Sequence, residues 1–301
     1  MRTVYFGTSD FAATVLERLA ATPHRPVLLV TRPDRPRGRG RHVGPPPVAE
    51  AAERLGIALI QPENVNDDEA RARIAAAEPE EICICAFGAL LKEPLLSRHQ
   101  MLNVHPSLLP RWRGAAPIER AIEAGDEETG VTIMRPTREL DAGPLCLQRA
   151  EAIRPDDDYG TLAGRLALLG GELLVETLDT RPVCHQQPTE GATYADKIQP
   201  DERRLDPERR PDELERRVRA LTPHVGAYVE LPSDGRLGVL RAGPGRADEL
   251  RPGELAVRDG RLLYGVTSGS LELLEVQPEG KRPMAAADWI RGHRDLLAEA
   301  G

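Results

Sequence analysis

The chain has 301 residues, of which 29% are charged and 40% are hydrophobic, a balance typical of a globular protein. Its formal net charge of −8 argues against a protein that binds nucleic acid over its whole surface, although a local basic patch is compatible with it. No stretch approaches the roughly 18 apolar residues of a membrane span, and the first residues lack the pattern of a signal peptide. We therefore expect a cytoplasmic protein without a membrane segment.

Strand-like and helix-like segments alternate over the N-terminal third of the chain. Thr8, Ser9 and Asp10 are candidate N-caps for the first helix. The alternation predicts an α/β domain with a doubly wound, mostly parallel Rossmann-like sheet, whose ligands lie beyond the carboxyl ends of the strands. No G-x-G-x-x-G motif follows a strand, so a dinucleotide cofactor has no support. The strands are expected at 2–6, 27–30, 57–60 and 82–86, and the helices at 11–19, 49–55 and 67–77.

The four cysteines show neither zinc-ligand nor redox spacing. Cys83 and Cys85 alternate within the apolar run 82–86, which is typical of a buried strand. All four are therefore expected to act as small apolar residues of the core in a reduced protein. They are Cys83, Cys85, Cys146 and Cys184.

The composition changes after about residue 185. Residues 199–219 are dense in Arg, Glu and Asp and contain three prolines, which favours a solvated linker followed by a surface helix with Asp212 as its N-cap. From residue 227, short β-like runs alternate with turn residues, a spacing that predicts a small closed or nearly closed barrel. A final helix is expected over 285–298.

Residue types that suit acyl transfer to an amine are found in and after the segment 102–114. Asn103 and His105 are two apart, so they point to the same side of an extended segment. Asp141 lies thirty-six residues after His105, at the start of a Gly/Pro turn. In this reaction fixed donors must stabilise the carbonyl oxygen as it becomes an oxyanion, and a proton must move from the attacking amine to the leaving nitrogen.

An asparagine amide and a protonated histidine can stabilise such an oxyanion. A neighbouring carboxylate can orient the histidine and order a water for proton transfer. Because the amine attacks directly, no Ser or Cys nucleophile is required. The spacing alone does not decide between this chemistry and a loop-stabilising Asn–His pair, which is the commoner role of such a pattern.

The same segment carries a family resemblance. It contains Asn103-Val104-His105-Pro106-Ser107-Leu108-Leu109-Pro110 followed by Arg113-Gly114, and it resembles the signature of the folate-dependent formyltransferases. Leu140-Asp141 falls where that family has its second catalytic motif. The resemblance implies that Asn103, His105 and Asp141 are catalytic. It also implies that 10-formyltetrahydrofolate is the formyl donor, bound as a cosubstrate, and that no metal takes part.

A tetrahydrofolate site follows from the same resemblance. In the family, the stretch that matches 107–110 lines this site. Ala86-Phe87-Gly88 is similar to the family's Ala-Tyr-Gly at the pterin pocket, with Phe in place of Tyr. The folate-binding residues implied are Phe87, Gly88, Leu90, Ser107, Leu108, Leu109 and Pro110.

Other segments resemble those members of the family that formylate the amino group of initiator methionyl-tRNA. Gly7-Thr8-Ser9-Asp10-Phe11 is similar to their first motif, and 33–40 is similar to an inserted loop that reaches into the tRNA acceptor end. Residues 32–42 hold five arginines and one acid, together with glycines that make the loop pliable, so the loop can supply phosphate contacts. The alternative is a merely solvated surface loop.

The C-terminal part of the chain shows the same resemblance at 194–198 and 274–284. It implies a catalytic domain over 1–187, a linker over 188–205, and a tRNA-binding barrel of the OB type over 206–301. The partners implied are initiator methionyl-tRNA and the folate, with no membrane and with the chain acting as a monomer. The tRNA-binding residues implied are Arg35, Arg37, Arg39, Arg41 and Lys281.

Two segments depart from the family pattern. Asp206-Pro207 replaces an Asp-Trp pair, and 135–139 replaces a Met-Asp-x-Gly type of sequence. Pro136 fixes φ and Glu139 stands in place of a glycine, so we expect the loop on the pterin side to be reshaped.

Two alternative functions stay open. One is a formyltransferase that acts on a sugar or nucleotide amine, against which the arginine-rich loop and the terminal barrel count. The other is a catalytically silent tRNA-binding protein, against which the intact Asn103, His105 and Asp141 count.

Overall fold

The computed structural model describes residues 1–37, 42–231, 235–245 and 250–293. The chain forms two compact units, and each unit is assembled from several segments. The first consists of Met1–Pro117, Glu128–Ala152 and Ala163–Ala195, and the second of Ile118–Glu127, Ile153–Leu162 and Asp196–Gly301. The domain bounds expected from the sequence, 1–187, 188–205 and 206–301, stay a prediction.

Helices and strands alternate along the chain up to residue 195. They are β1 (Thr3–Gly7), α1 (Asp10–Ala20), β2 (Pro26–Val30), β3 (Arg35–Arg37), β4 (His42–Gly44), α2 (Pro47–Leu55), β5 (Ala58–Ile60), α3 (Asp68–Ala76), β6 (Glu81–Cys85), α4 (Leu95–Arg98), β7 (Met101–His105), β8 (Arg113–Gly114), α5 (Pro117–Ala124), β9 (Glu128–Met134), β10 (Leu145–Ala152), α6 (Tyr159–Thr180) and β11 (Tyr194–Ala195).

Seven of the strands described form the main sheet, in the order β10-β9-β7-β6-β1-β2-β5. The five strands from β7 to β5 are parallel, whereas β9 and β10 run antiparallel to their neighbours. The predicted doubly wound, mostly parallel sheet is confirmed. Because β1, β6 and β7 are adjacent, their carboxyl ends meet at one edge, where such sheets bind ligands.

The first helix is capped by one of the three predicted candidates. The side chain of Ser9 accepts a hydrogen bond from the Ala12 N–H, which satisfies one of the unpaired donors at the start of α1. The helix then buries Val15, Leu16 and Leu19.

The prediction that all four cysteines act as apolar core residues holds for Cys83 and Cys85, which are fully buried in β6. It is wrong for Cys146 and Cys184, which form a disulfide across 38 residues of sequence. Spacing along the chain could not indicate this pairing, because it depends on a tertiary contact. Leu145 and His185 exchange two main-chain hydrogen bonds beside the disulfide, so the chain after α6 returns along the start of β10.

The second unit contains an antiparallel sheet with the strand order β12-β13-β16-β15-β14 and with β17 added to β16. Val229 in the first of these strands and Leu255 in the last belong to one buried core with Trp289, so the sheet curls around that core, as predicted for the small barrel. The elements are a 3-10 helix (Asp201–Arg203), α7 (Pro211–Leu221), β12 (Ala227–Leu231), β13 (Gly235–Pro244), β14 (Leu255–Arg258), β15 (Arg261–Val266), β16 (Gly269–Pro278), β17 (Met284–Ala285) and α8 (Ala286–Gly292).

Two details of this unit differ from the expectation. Asp212 is not the N-cap of α7, because the helix begins at Pro211 and Arg210 takes the cap position. A proline suits the first turn, whose N–H groups have no partner within the helix, and the helix therefore starts two residues earlier than expected. The last helix ends at Gly292, and residues 294–298 of the predicted helix lie outside the described residues. Among the helices that the structure describes, none is long and apolar enough to cross a membrane.

Candidate active site

Asn103 and His105 lie on the same side of β7, near its carboxyl end, as their spacing predicts. Leu102 and Val104, which alternate with them, are buried in the packed interior. The His105 side chain is only 5% exposed. Asn103 is half-buried in this strand.

The two ring nitrogens of His105 have different neighbours. Nε2 lies 2.8 Å from the carbonyl oxygen of Trp112. Because a carbonyl oxygen only accepts, Nε2 carries a proton and donates it to this oxygen. Nδ1 faces Oδ2 of Asp141 at 3.6 Å, which is an ion-pair distance but is longer than a hydrogen bond. The imidazole therefore has one edge fixed by the protein and the other turned toward a carboxylate.

Asp141 sits in a tight turn that aims its carboxylate at His105. Its φ is +47°, in the left-handed region that a non-glycine residue seldom adopts. Its Oδ2 also accepts a hydrogen bond from the Gly114 N–H at 3.0 Å. One carboxylate oxygen of Asp141 thus lies close both to His105 and to the main chain at the end of the predicted signature segment.

Gly143 allows this turn to close. A Cβ atom at this position would lie 1.8 Å from the carbonyl oxygen of Arg135, so only glycine fits without a movement of the main chain. Arg135 belongs to the departing segment 135–139, and its guanidinium donates to buried Glu81 and to the Met101 carbonyl oxygen. Burial raises the pKa of the Glu81 carboxyl, and the neighbouring Arg135 opposes this rise.

The segment predicted to line the folate site is fixed at its main chain by β9 and β10. The Thr132 hydroxyl donates to the Ser107 carbonyl oxygen at 2.6 Å and accepts from the Leu109 N–H at 3.1 Å. Gln148 donates to the Leu109 carbonyl oxygen at 2.8 Å. Ser107 itself is buried and donates to the Arg111 carbonyl oxygen. The position of 107–110 is therefore set before any ligand binds.

The other predicted folate residues follow β6. The ring of Phe87 is buried in the core, with its centroid 5.1 Å from that of Phe6. Gly88 has a φ of +72°, and its carbonyl oxygen accepts a hydrogen bond from Arg32. Leu90 is 66% exposed, which is unusual for a large apolar side chain. Phe87 thus belongs to the core, while Gly88 and Leu90 lie at the surface at the ligand-binding edge.

The predicted tRNA-binding residues are described only in part. Arg35 is exposed at the start of β3, which pairs with β4. Arg37 is described by its main chain in β3 alone, and Arg39 and Arg41 lie outside the described residues. Lys281 lies in the second unit between β16 and β17, and its N–H donates to the Pro278 carbonyl oxygen.

Some contacts of the site could not be found by sequence reasoning. Thr132, Gln148 and Gln187 support the loops that carry the predicted residues, but no motif marks them. Their role depends on hydrogen bonds between segments that are far apart in sequence. Among the described residues no group of His, Cys, Asp and Glu has the arrangement of a metal site.

The fold and the site combine a mostly parallel sheet with groups that can serve acid–base chemistry. An imidazole and a carboxylate face each other at 3.6 Å, and the strand that carries the imidazole also carries Asn103. A thiolate nucleophile is absent from the described site, because Cys83 and Cys85 are buried and burial raises the pKa of Cys85 to about 12. The remaining two cysteines form the disulfide. None of the described cysteines is therefore available as a nucleophile at this site.

The chain belongs to the formyl transferase family. Its residues 1–178 match the formyl transferase model, and residues 197–294 match the model of the formyl transferase C-terminal domain. A methionyl-tRNA formyltransferase of Halorhodospira halophila is 43% identical over 99% of this chain and 98% of its own length. That of Thermus thermophilus is 43% identical over 97% of this chain and 96% of its own length.

Solved structures with low sequence identity share the fold. A methionyl-tRNA formyltransferase from Clostridium thermocellum has a TM-score of 0.58 and 15% identity, and covers 81% of this chain and 94% of its own. A sugar 3N-formyltransferase, crystallised with dTDP and 5-N-formyl-THF, has a TM-score of 0.65 and 13% identity, and covers 94% of this chain and 99% of its own. At these identities the likeness shows the architecture alone.

Proposed function

We propose that this enzyme transfers the formyl group of 10-formyltetrahydrofolate to the α-amino nitrogen of methionyl-initiator tRNA, giving N-formylmethionyl-tRNA for translation initiation. The observation that carries the proposal is the approach of the Asp141 carboxylate to His105 at 3.6 Å, with Asn103 on the same side of the same strand as His105. The full-length identity of 43% to methionyl-tRNA formyltransferases supports the acceptor. The enzyme acts in the cytoplasm as a monomer.

In the proposed reaction the α-amino nitrogen of methionine attacks the formyl carbon and a new C–N bond forms. The Asn103 amide and the Nδ1–H of protonated His105 donate hydrogen bonds to the oxyanion that develops on the formyl oxygen. The bond between the formyl carbon and N10 of the folate then breaks. The amine loses one proton and N10 gains one, so protons and charges balance.

Asp141 acts in this scheme through His105. The Nε2–H of His105 is already bound to the Trp112 carbonyl oxygen, so the Nδ1 edge is the one that can exchange a proton. The Asp141 carboxylate faces that edge, where it orients the ring and stabilises the positive charge of an imidazolium. The N–H of Gly114 holds the carboxylate in place.

The folate binds at the edge formed by 107–110 and by the residues after β6. The proposed contacts are the main chain and side chains of Ser107, Leu108, Leu109 and Pro110, together with Gly88 and Leu90. The fixed main chain of 107–110 supports this role, because a site that is ordered in advance spends less free energy on binding. Phe87 contributes by packing beneath Gly88.

The arginines of the loop bind the acceptor stem in our proposal. Arg35→Ala is expected to raise the KM for methionyl-tRNA about threefold to tenfold, while the KM for the folate stays unchanged, because each phosphate contact adds affinity without touching the formyl donor. Arg73→Ala is the matched control, since Arg73 is an exposed arginine on α3. Equal KM values for Arg35→Ala and Arg73→Ala would contradict the assignment.

The function is tested by offering one labelled donor to several acceptors. Purified enzyme and formyl-labelled 10-formyltetrahydrofolate are incubated with initiator methionyl-tRNA, elongator methionyl-tRNA and a dTDP-linked amino sugar. We expect label on initiator methionyl-tRNA, with a much lower kcat/KM on the other two. Label on the amino sugar alone would establish the sugar formyltransferase, and tRNA binding without any transfer would establish a silent binding protein.

A further inference from the structure

The side chain of Gln187 is fully occupied by hydrogen bonds around the candidate site. Its Oε1 accepts from Nε and Nη2 of Arg113 at 3.1 and 2.8 Å. Its Nε2 donates to the carbonyl oxygens of Asp141 and Gly143 at 2.8 and 2.7 Å. An amide has two N–H donors and two acceptor lone pairs, so these four bonds use its whole capacity.

These bonds reach both sides of the Asp141 carboxylate. On one side, Gln187 holds the two carbonyl groups of the turn in which Asp141 adopts a φ of +47°. A non-glycine residue seldom adopts this conformation, which persists only where the surroundings impose it. On the other side, Gln187 holds Arg113, whose neighbour Gly114 donates its N–H to the carboxylate.

The segment that carries Gln187 is itself anchored before and after this residue. His185 pairs with Leu145 through two main-chain hydrogen bonds of 2.8 Å, and Cys184 is disulfide-bonded to Cys146. After Gln187, Thr193 accepts from the Arg113 N–H at 2.9 Å, and β11 then pairs with β8. The amide of Gln187 is therefore held in place, and its hydrogen bonds link the turn 141–143 to Arg113.

We infer that Gln187 is a positioning residue of the formyl transfer reaction, which sets the distance and direction between the Asp141 carboxylate and His105. The inference rests on the proposed function, because it assigns a task to Gln187 only if Asp141 acts on His105. Gln187 does not touch the reacting atoms. It acts by joining the turn 141–143 to Arg113, so that the carboxylate is held between the Gly114 N–H and the imidazole.

The chemistry of the amide explains why glutamine suits this position. A methionine of similar length would make no hydrogen bond either to Arg113 or to the carbonyl oxygens of Asp141 and Gly143. A glutamate would keep the acceptor for Arg113 but would place a second acceptor against the two carbonyl oxygens, because a carboxylate has no donor. Gln187→Met therefore removes the hydrogen bonds to Arg113 and to the turn 141–143. Gln187→Glu removes only the hydrogen bonds to the turn.

Steady-state kinetics of these variants test the inference. We expect Gln187→Met and Gln187→Glu to lower kcat about tenfold to a hundredfold, since displacement of a catalytic group by about 1 Å costs this much. The KM values for folate and methionyl-tRNA are expected to stay within about twofold, because all four hydrogen bonds of the Gln187 amide are made to groups of the protein. The matched control is Gln186→Met, a change at the exposed neighbouring position. All assays use the same redox condition, so that the disulfide between Cys146 and Cys184 near Gln187 is in the same state in every variant.

A double-mutant cycle separates this inference from the proposed function. If Gln187 acts through the carboxylate, Gln187→Met lowers kcat by less than about threefold in an Asp141→Asn background. A full additional loss in that background, or wild-type kcat in Gln187→Met, would overturn the inference while leaving the role of Asp141 intact. Wild-type activity of Asp141→Asn alone would instead refute the proposed function of Asp141. Gln187→Glu decides the question if Gln187→Met does not fold.

Discussion

His105→Ala is expected to lower kcat for formylation of methionyl-tRNA about a thousandfold, and Asp141→Asn about a hundredfold. The first change removes an oxyanion donor and the proton-transfer group together. The second removes the charge that faces Nδ1 of His105 at 3.6 Å but keeps the size of the side chain. Both losses belong in kcat, because these groups act on the transition state, and both are measured by steady-state formylation with saturating substrates.

Two conservative controls accompany these variants. His99→Ala changes a histidine that precedes β7, and Asp156→Asn changes an exposed carboxylate in the second unit. Both control proteins should keep kcat within about twofold of wild type, since surface changes away from a site have small effects. If His105→Ala and Asp141→Asn also stay within threefold of wild type, the catalytic assignment fails.

Gly143→Ala is expected to lower kcat/KM about a hundredfold, because the new Cβ must displace the turn two residues after Asp141. This Cβ would lie 1.8 Å from the main-chain carbonyl oxygen of Arg135, which cannot move away as a flexible side chain would. Overpacking of this kind also costs about 1–3 kcal/mol of stability. The measurements are kcat/KM for methionyl-tRNA and the Tm of the variant.

Gly164→Ala is the matched control for this change. Gly164 lies in α6, and a Cβ there meets no atom within 4 Å. Because alanine favours a helix over glycine by about 1 kcal/mol, this variant should be slightly more stable than wild type and fully active. Wild-type kcat/KM in Gly143→Ala would show that the turn tolerates displacement, and that its position is not critical for the reaction.

The parallel half of the fold could be predicted because its signals are local. The two-residue spacing of Asn103 and His105 places them on one side of the extended segment that forms β7. Ser9 was among the candidate caps for the same reason, since a cap needs only the residues that follow it. The predicted fold class therefore agrees with the sheet order observed.

The patterns did not indicate α6, although it is a helix of 22 residues. Gly170 and Gly171 interrupt its sequence and lower its helix propensity. In the structure these glycines allow close packing, because a Cβ would lie 2.9 Å from the Val104 side chain at Gly170 and 2.8 Å from Arg18 at Gly171. The tertiary packing of α6 thus outweighs the low helix propensity of its glycines.

The candidate site could be predicted only where a motif carries it. Asn103 and His105 share a strand, and the resemblance supplied Asp141. The contact between His105 and Asp141 and the disulfide between Cys146 and Cys184 are both tertiary contacts. The spacing of residues along the chain cannot indicate either of them. Gln187 was missed because its four hydrogen bonds depend on two turns that meet only in the folded protein.

The placement of the donor's formyl group is the most direct test of these assignments. A crystal structure of the enzyme with a stable folate analogue that carries its formyl group on N10 gives this position. We expect the pteridine beside 107–110 and the formyl oxygen within about 3.2 Å of both the Asn103 amide nitrogen and a ring nitrogen of His105. A folate bound in another part of the chain, with its formyl group out of reach of these two side chains, would contradict the account.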